Sequence, residues 1–237
     1  MCIRDSNTSS FMDAIAKINA APEASHKIFI TGDISLETPI SEAVNLELIG
    51  DTTSSEHYNF VLNGNTFTYR ENKISKISDL NIVSNTSGSG FIVNQQDLTI
   101  DNANFTSSAA SNTQSSLNNI GGNLQISESN FTGNKKGMDG GAISNQGNLE
   151  TVSTDFISNQ GRNGGALYLS SGTANIKEAD ILNNYASTYG GAAYVNNSTL
   201  TITDSTVKDN SAMVSGGALY IEANSNVVID NTDFDHN

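Results

Sequence analysis

Residues 140–143 read Gly140-Gly141-Ala142-Ile143, and this stretch returns three more times with changes only in its last residue. The later copies are Gly164-Gly165-Ala166-Leu167, Gly190-Gly191-Ala192-Ala193 and Gly216-Gly217-Ala218-Leu219. Their first glycines are 24, 26 and 26 residues apart. A fixed period of this size is typical of folds in which one structural unit stacks on the next.

A second motif runs in phase with the glycine pairs, namely an apolar residue followed three positions later by asparagine. Its copies are Phe131 with Asn134, Phe156 with Asn159, Ile181 with Asn184, Val207 with Asn210, and Phe234 with Asn237. The residues seven and five positions before each apolar member are also mostly aliphatic. Thr151 interrupts the second of these columns, and the neighbouring Val152 predicts a one-residue slip or bulge there.

Short runs such as residues 166–169 and 200–203 alternate apolar and polar residues, which predicts strands with one face inward. Glycine, asparagine, serine and aspartate separate these runs and indicate frequent turns. No unit shows a helical apolar stripe, and a propeller blade of about 40 residues is longer than this repeat. The pattern therefore predicts an all-β fold, a parallel β-helix with three short strands in each rung of about 25 residues.

Stacked rungs turn each repeated position into a column of like residues, about 4.8 Å apart. The aliphatic and phenylalanine columns are predicted to fill the interior, with Ile202 inward and Thr203 outward. The repeated asparagines are predicted to form a hydrogen-bonded ladder. A further polar column is predicted to be a solvated turn; it comprises Asn104, Asn130, Asp155, Asp180, Thr206 and Asp233. Gly88-Ser89-Gly90 stands where an earlier rung would have its glycine pair.

The chain divides into three predicted parts, of which the first two lack the repeat. Residues 1–6 match nothing that follows and are interpreted as a non-native prefix outside the fold. Residues 7–26 are predicted to cap the first rung, with Ser10 starting a helix over residues 11–20. Residues 27–237 form the predicted solenoid, and we expect its C-terminal end to be a truncation of a longer protein.

Composition restricts the classes of partner that the chain can have. It contains 11 basic and 25 acidic residues, a formal net charge of −14, so nucleic acids and anionic membrane surfaces are disfavoured. Cys2 is the single cysteine, which excludes an internal disulfide. The chain has no apolar stretch of 18 residues, so no membrane span is predicted. No residue pattern predicts a cofactor or a metal site.

The paired motifs resemble the repeat of the polymorphic outer membrane proteins, known from chlamydial autotransporter adhesins. The similarity covers residues 131–237 well and residues 75–130 loosely, with Ile181, Val207 and Ala193 departing from the usual residues. It implies a right-handed, single-stranded parallel β-helix of the pectin-lyase-like type. It also implies a passenger exported to the cell surface and anchored in the bacterial outer membrane by a missing C-terminal region.

The motifs are compatible with two functions. The first is a non-enzymatic surface module, an adhesin or autotransporter passenger that contacts a protein or glycan of a host or neighbouring cell. The alternative is a polysaccharide lyase or glycoside hydrolase, which would need a cluster of carboxylates or calcium ligands. Asp139, Asp155 and Asp180 look like single acids without a basic partner, and Arg162 looks like loop solvation. No catalytic residue is therefore assigned.

Two expectations concern the surface and the end of the chain. The irregular stretches 51–59 and 107–116 are predicted to protrude from the solenoid. Strand edges left unpaired at the C-terminal rung are predicted to promote self-association, because an open edge recruits other strands.

Overall fold

The computed structural model describes residues 2–20, 24–42, 45–53, 57–70, 74–85, 91–107, 115–135 and 137–237. In the N-terminal half the elements are β1 (Cys2–Asp5), α1 (Thr8–Asn19), β2 (Ser25–Ile30), β3 (Ile34–Ser35), β4 (Ile40–Glu42), β5 (Asn45–Gly50), β6 (Tyr58–Val61), β7 (Thr66–Tyr69), β8 (Ile74–Ser78), β9 (Leu80–Ser84), β10 (Phe91–Asn94), β11 (Asp97–Asp101), β12 (Asn104–Ser107) and β13 (Leu117–Asn119). The elements that follow are β14 (Asn123–Ser127), β15 (Asn130–Thr132), β16 (Ile143–Asn145), β17 (Asn148–Val152), β18 (Asp155–Ile157), β19 (Gln160–Asn163), β20 (Leu167–Ser170), β21 (Thr173–Lys177), β22 (Asp180–Leu182), β23 (Tyr185–Tyr189), β24 (Ala193–Asn196), β25 (Thr199–Thr203), β26 (Thr206–Lys208), β27 (Ser211–Ala212), β28 (Leu219–Ile221), β29 (Asn226–Asp230) and β30 (Asp233–Asp235).

The strands form a parallel β-solenoid of about eight turns, as the repeat predicts. Sheet A contains ten strands in the order β1-β2-β5-β8-β11-β14-β17-β21-β25-β29, and sheet B contains nine in the order β3-β6-β9-β12-β15-β18-β22-β26-β30. Sheet C contains eight in the order β28-β24-β20-β16-β13-β10-β7-β4. A fourth, three-stranded corner sheet, β19-β23-β27, lies between sheets B and C in the chain path of the later rungs and was not predicted.

The corner from sheet A to sheet B is made by one residue with a left-handed backbone in each of seven rungs. These residues are Asp79, Asn102, Glu128, Ser153, Glu178, Asp204 and Asn231, with φ between 43° and 58°. A single left-handed residue reverses the side-chain alternation within a very short segment. In five of these seven rungs the residue that follows it, such as Ala103 or Ala179, is small and buried. This is why sheets A and B need so few residues between them.

The glycine pair makes the turn into sheet C, and its two members have different reasons to be glycine. Gly164 has φ +68°, a conformation that a side chain disfavours. A Cβ atom on Gly164 would also lie 1.9 Å from the carbonyl oxygen of Leu167. Gly165 is constrained by space alone, because a Cβ atom there would lie 2.1 Å from the carbonyl oxygen of Gly191 in the next rung. The alanine that follows, Ala166, is fully buried. The Gly-Gly-Ala signature therefore reflects one turn conformation and one close approach between rungs.

The interior is built from the predicted columns. In sheet B, Phe105, Phe131 and Phe156 stack with ring centroids 4.4 and 5.4 Å apart, and Ile181 and Val207 continue the column. Ile202 is 1% exposed whereas Thr203 faces outward, so the predicted register is confirmed. In the last rung, Ile229 and Phe234 stay in these columns but are partly exposed.

The predicted asparagine ladder is present, and we call it the long ladder; its members are Asn134, Asn159, Asn184, Asn210 and Asn237. The Nδ2 of each of the first four donates to the Oδ1 of the next asparagine at 2.9–3.0 Å. The same Nδ2 donates to a carbonyl oxygen of the preceding rung, for example from Asn184 to Phe156 at 2.8 Å. The next Oδ1 also accepts the backbone N–H, as Asn184 Oδ1 does from Asn159 at 2.9 Å.

A second ladder, which we call the short ladder, lies at the ends of β10, β13 and β16 and was not predicted. Asn94 Nδ2 donates to Asn119 Oδ1 at 2.8 Å, and Asn119 Nδ2 donates to Asn145 Oδ1 at 2.7 Å. One rung later Leu169 takes the same position, followed by Val195. The short ladder therefore ends inside the solenoid, where its column becomes aliphatic.

The slip predicted around Thr151 is wrong. Strands β14, β17 and β21 keep a straight register, in which Ile126 pairs with Thr151 and Thr151 with Ile176. Thr151 is 1% exposed and Val152 is 43% exposed, so the threonine occupies the aliphatic column and the valine faces solvent. The Oγ1 atom of Thr151 is buried without a hydrogen-bond partner. Continuous backbone pairing with both neighbouring strands outweighs the preference of threonine for solvent and of valine for the interior.

Helix α1 covers the first rung and buries Phe11, Ala14, Ile15 and Ile18. Phe11 meets Phe60 edge-to-face with centroids 5.4 Å apart, which joins the helix to the core. The helix begins at Thr8 rather than near Phe11, and its N-cap is Asn7, whose side chain accepts the Ser10 N–H at 3.0 Å. The predicted capping role of Ser10 is therefore wrong, since Ser10 is the donor in this bond.

Residues Cys2–Asp5 are not separate from the fold, in contrast to the interpretation of residues 1–6 as a prefix outside it. They form β1, whose backbone pairs with β2 in the register Arg4 to Phe29. The non-native origin of residues 1–6 stays a prediction, as do the predicted domain boundaries. Several other expectations lie outside the described residues: Gly88-Ser89-Gly90 and most of the predicted protrusions, at residues 54–56 and 108–114.

Candidate binding surface

Three tyrosines form an in-register column on the outer surface of sheet C. Alternation along β20 turns Leu167 and Leu169 inward and therefore turns Tyr168 outward. The parallel register places Tyr194 beside Tyr168 and Tyr220 beside Tyr194. The ring centroids are 5.3 and 5.5 Å apart, and the planes differ by only 12° and 9°. The column is thus a regular aromatic stripe along the solenoid axis.

Two further residues fix this stripe. Tyr189, at the end of β23, stacks on Tyr220 with centroids 4.4 Å apart. Glu222 accepts a hydrogen bond from the Tyr194 hydroxyl at 3.0 Å. Partial burial raises the pKa of Tyr194 to about 12, and the bond to Glu222 acts in the same direction. Tyr194 therefore stays a neutral hydrogen-bond donor well above physiological pH.

The column has polar neighbours that form no bonds of their own. Ser170 and Asn196 lie two positions after Tyr168 and Tyr194 on the same face and are partly exposed. Within the described part of the chain, neither their side chains nor the hydroxyls of Tyr168 and Tyr220 form a hydrogen bond. We call this surface the tyrosine face; it comprises Tyr168, Tyr189, Tyr194, Tyr220, Ser170, Asn196 and Glu222.

The tyrosine face is nearly uncharged although the chain as a whole is acidic. Strands β10, β13, β16, β20 and β24 of sheet C contain no aspartate, glutamate, lysine or arginine. Sheet A has Asp97, Asp101 and Glu150 in its middle strands, and sheet B has Asp155 and Asp180. The negative charge is therefore concentrated on the other faces.

An ion pair lies near the tyrosine face, and it corrects the prediction that Asp139 has no basic partner. Arg162 Nε and Nη2 donate to the two carboxylate oxygens of Asp139 at 2.9 and 2.8 Å. Asn163 donates to Asp139 from its backbone and from its side chain. These contacts raise the pKa of the Arg162 guanidinium, mainly through its hydrogen bond to Asp139. Arg162 therefore links two rungs and is not simply loop solvation.

A groove of about 550 Å³ on the outside of sheet A is the other candidate site. Its first column is internally bonded: Asn123 donates to Asp97 at 2.6 Å, Asn148 to Asn123 at 2.9 Å, and Thr173 to Asn148 at 2.9 Å. Glu150 lines the same groove two rungs away from Asp97. The groove thus holds two carboxylates, but part of its hydrogen-bonding capacity is already used within the column.

Asp155 and Asp180 occupy the starts of β18 and β22 rather than a turn. Asp155 Oδ1 accepts a hydrogen bond from the backbone N–H of Asp180 at 2.9 Å, so the Asp155 side chain connects its own rung to the next one. Earlier in the same column, Asn130 donates to Asn104 at 2.9 Å. The predicted solvated turn is therefore a partly exposed column of bonds between rungs.

Neither a metal centre nor a membrane helix is found in the part of the chain that the structure describes. No group of three or more histidine, cysteine, aspartate or glutamate side chains among those residues could hold a metal ion. No helix there combines the length and the apolar character needed to span a bilayer.

Sequence reasoning missed the tyrosine face although its signal is present. Tyr168, Tyr194 and Tyr220 each stand two residues after the alanine of a Gly-Gly-Ala copy, and in the first copy Ser144 holds that position. An outward tyrosine at a fixed repeat position becomes a column once the register is known. The chain matches no family model, and neither a curated protein nor a solved structure shows a match to it.

Proposed function

We propose that the protein is a non-enzymatic binding module displayed on a bacterial cell surface, of the adhesin or autotransporter-passenger kind. The observation that carries the proposal is the tyrosine face, an ordered and nearly uncharged aromatic stripe on a rigid scaffold. Tyrosine offers a large contact area at a low cost in conformational entropy, and serine and asparagine add adaptable hydrogen bonds. The repeat similarity to polymorphic outer membrane proteins agrees with this role and with an extracellular location.

The alternative is a carbohydrate-active enzyme, and the sheet A groove is the observation that favours it. Asp97 and Glu150 are two carboxylates in one groove, which is the residue type that glycoside hydrolysis requires. They are separated by two rungs, about 10 Å along the axis, and also by two residues along the strand direction, about 7 Å, so they lie farther apart than the usual carboxylate pair. Asp97 is also engaged by Asn123. These features make the groove the weaker candidate.

Cell binding tests the proposal directly. The purified chain, labelled at its N-terminus, is incubated with a panel of epithelial and bacterial cells and measured by flow cytometry. Replacing Tyr168, Tyr194 and Tyr220 by serine should abolish binding, and Ser144 shows that the column accommodates serine. The matched control replaces Asn175, Thr201 and Val228 by serine, because these residues form an outward column of sheet A on the same three rungs.

Enzyme assays test the alternative with the same protein. We expect no product release from pectin-like or other polysaccharides. Reproducible release that is lost in Asp97→Asn and Glu150→Gln, or in Asp155→Asn and Asp180→Asn, would make the enzyme the better assignment. Binding that is equal in the tyrosine and control variants would also contradict the proposal.

A further inference from the structure

We infer that the tyrosine face binds an uncharged glycan whose chain runs along the solenoid axis. This inference rests on the proposed binding function and names the ligand of the same surface. It depends on three properties of that surface: the aromatic repeat, the free polar groups beside it, and the absence of unpaired charge in its central strands.

The aromatic repeat matches a polymer of identical units. Tyr168, Tyr194 and Tyr220 present the same ring edge and hydroxyl at intervals of 5.3 and 5.5 Å. A pyranose has apolar C–H patches and polar hydroxyls, as a tyrosine has an apolar ring and a polar end. A chain of identical sugars laid along the axis can therefore contact the same kind of ring on each of the three rungs.

The polar groups on this face are free to bind hydroxyls. Among the described residues, the hydroxyls of Tyr168 and Tyr220 and the side chains of Ser170 and Asn196 have no hydrogen-bond partner in the protein. Each of these groups can donate and accept, which is what a neutral sugar hydroxyl requires. Tyr194 differs because its hydroxyl is committed to Glu222. Tyr194 therefore serves as the fixed centre of the stripe, with adaptable groups on both sides.

The charge distribution favours a neutral ligand over a charged one. Two charged groups beside Tyr168 and Tyr194 are engaged within the protein, since Arg162 pairs with Asp139 and Glu222 accepts from Tyr194. A polyanion would be repelled by the net charge of −14. A cationic partner would find more carboxylates on sheets A and B, whereas Glu222 is the one carboxylate of the tyrosine face. An uncharged polysaccharide is the polymer that remains compatible with the face.

Calorimetry with defined oligosaccharides tests the inference. The probes are cellohexaose, mannohexaose and maltohexaose as neutral chains, and oligogalacturonate as the charged comparison. We expect binding of at least one neutral probe that is insensitive to salt, because no ion pair contributes. The triple tyrosine-to-serine variant should bind it about thirtyfold more weakly or worse, and the Asn175, Thr201 and Val228 triple variant should bind as the wild type does.

A second measurement needs no substitution, so its result does not depend on whether the triple variant folds. The chain contains seven tyrosines, so fluorine NMR of 3-fluorotyrosine-labelled protein reports on each one. Saturating neutral probe should shift the resonances of Tyr168, Tyr194 and Tyr220 and leave Tyr69, which is buried in β7, unchanged. Shifts confined to other tyrosines would overturn the inference.

The remaining outcomes separate this inference from the proposed function. Tyrosine-dependent cell binding that survives periodate oxidation of the cells would indicate a protein partner, overturning the glycan inference and leaving the binding module in place. Failure of every neutral probe together with a dimer that the triple variant converts to monomer would identify a second copy of the chain as the occupant. Probe binding without cell binding would support the glycan and contradict the surface role.

Discussion

The long and short asparagine ladders use the same side chain in the same kind of stack, yet they differ in extent and in how they end. The long ladder continues through the last rung, and each inner amide is held from both sides. The short ladder ends at Asn145, whose Nδ2 turns to the carbonyl oxygens of Gly147 and Thr173, both at 2.9 Å. Leu169 then takes over the column. In both ladders, a buried amide is thus tolerated because backbone groups or neighbouring amides complete its bonds.

The largest expected effect comes from placing a polar group in a column without such partners. Ile202 lies between Ile176 and Ile229 in the interior of sheet A. We expect Ile202→Asn to destabilise by about 3 kcal/mol and Ile202→Asp by more, because neither side chain finds a partner and the burial of isoleucine is lost. Thr203→Asp is the control, with an expected change within about 0.5 kcal/mol. Thermal unfolding followed by circular dichroism measures all three.

If Ile202→Asn lowered stability as little as Thr203→Asp, an asparagine in the aliphatic column would cost no more than a polar side chain at the surface. The aliphatic column would then tolerate a buried amide as well as the ladders do. Amide hydrogen exchange on the same variants locates the rungs that open, which matters because stacked repeats need not unfold in a single step.

The next effect compares the two ladders directly. In Asn184→Leu, the Asn159 N–H and Nδ2 lose their shared acceptor and the carbonyl of Phe156 loses its donor. We expect a loss of about 3 kcal/mol. In Asn145→Leu, Asn119 Nδ2 keeps the carbonyl oxygens of Gly122 and Asn148, and the new leucine packs on Leu169. The expected loss is about 1 kcal/mol.

Denaturant unfolding of Asn184→Leu and Asn145→Leu, side by side, gives the two midpoints. Equal midpoints would show that position in a ladder is unimportant. If Asn145→Leu lowered stability more than Asn184→Leu, the last amide of the short ladder would be more important than an inner amide of the long ladder.

A smaller effect, of opposite sign, is expected where a hydroxyl already sits in an aliphatic column. Thr151 Oγ1 is buried without a partner between Ile126 and Ile176. Thr151→Val removes this unsatisfied group at nearly constant shape and should raise stability by about 1 kcal/mol. Thr151→Ser keeps the hydroxyl and removes a methyl group, so it should lower stability. A lower melting temperature for Thr151→Val would mean that the hydroxyl is satisfied after all.

The smallest effect concerns the outer tyrosine column and its pH dependence. The pKa of Tyr194 is raised to about 12, above the value near 10 of an unfolded tyrosine. A raised pKa favours the protonated form in the folded state, so its contribution to stability is complete below pH 10 and declines between pH 10 and 12. The ultraviolet difference titration of wild type against Tyr194→Phe should have its midpoint near 12. A midpoint near 10 would show that neither burial nor the bond to Glu222 raises the pKa of the Tyr194 hydroxyl.

The fold was predictable because its determinants repeat. Gly-Gly-Ala and the apolar-x-x-Asn motif recur at a nearly constant interval, and parallel pairing of equivalent strands is the arrangement that uses such a period. The long ladder followed from the same argument. The short ladder did not, because its three asparagines belong to rungs in which the glycine pairs are mostly absent and the column changes to Leu169 afterwards.

The sequence by itself determined the period and the inward columns, since both are encoded in residues that recur at a set spacing. Tertiary structure alone decided the straight register through Thr151, the Arg162–Asp139 link and the alignment of the tyrosines on sheet C. The physical reason is that these depend on which residues of different rungs stand opposite each other. That relation is set by the hydrogen-bonded stacking of whole rungs and not by any local preference of the chain.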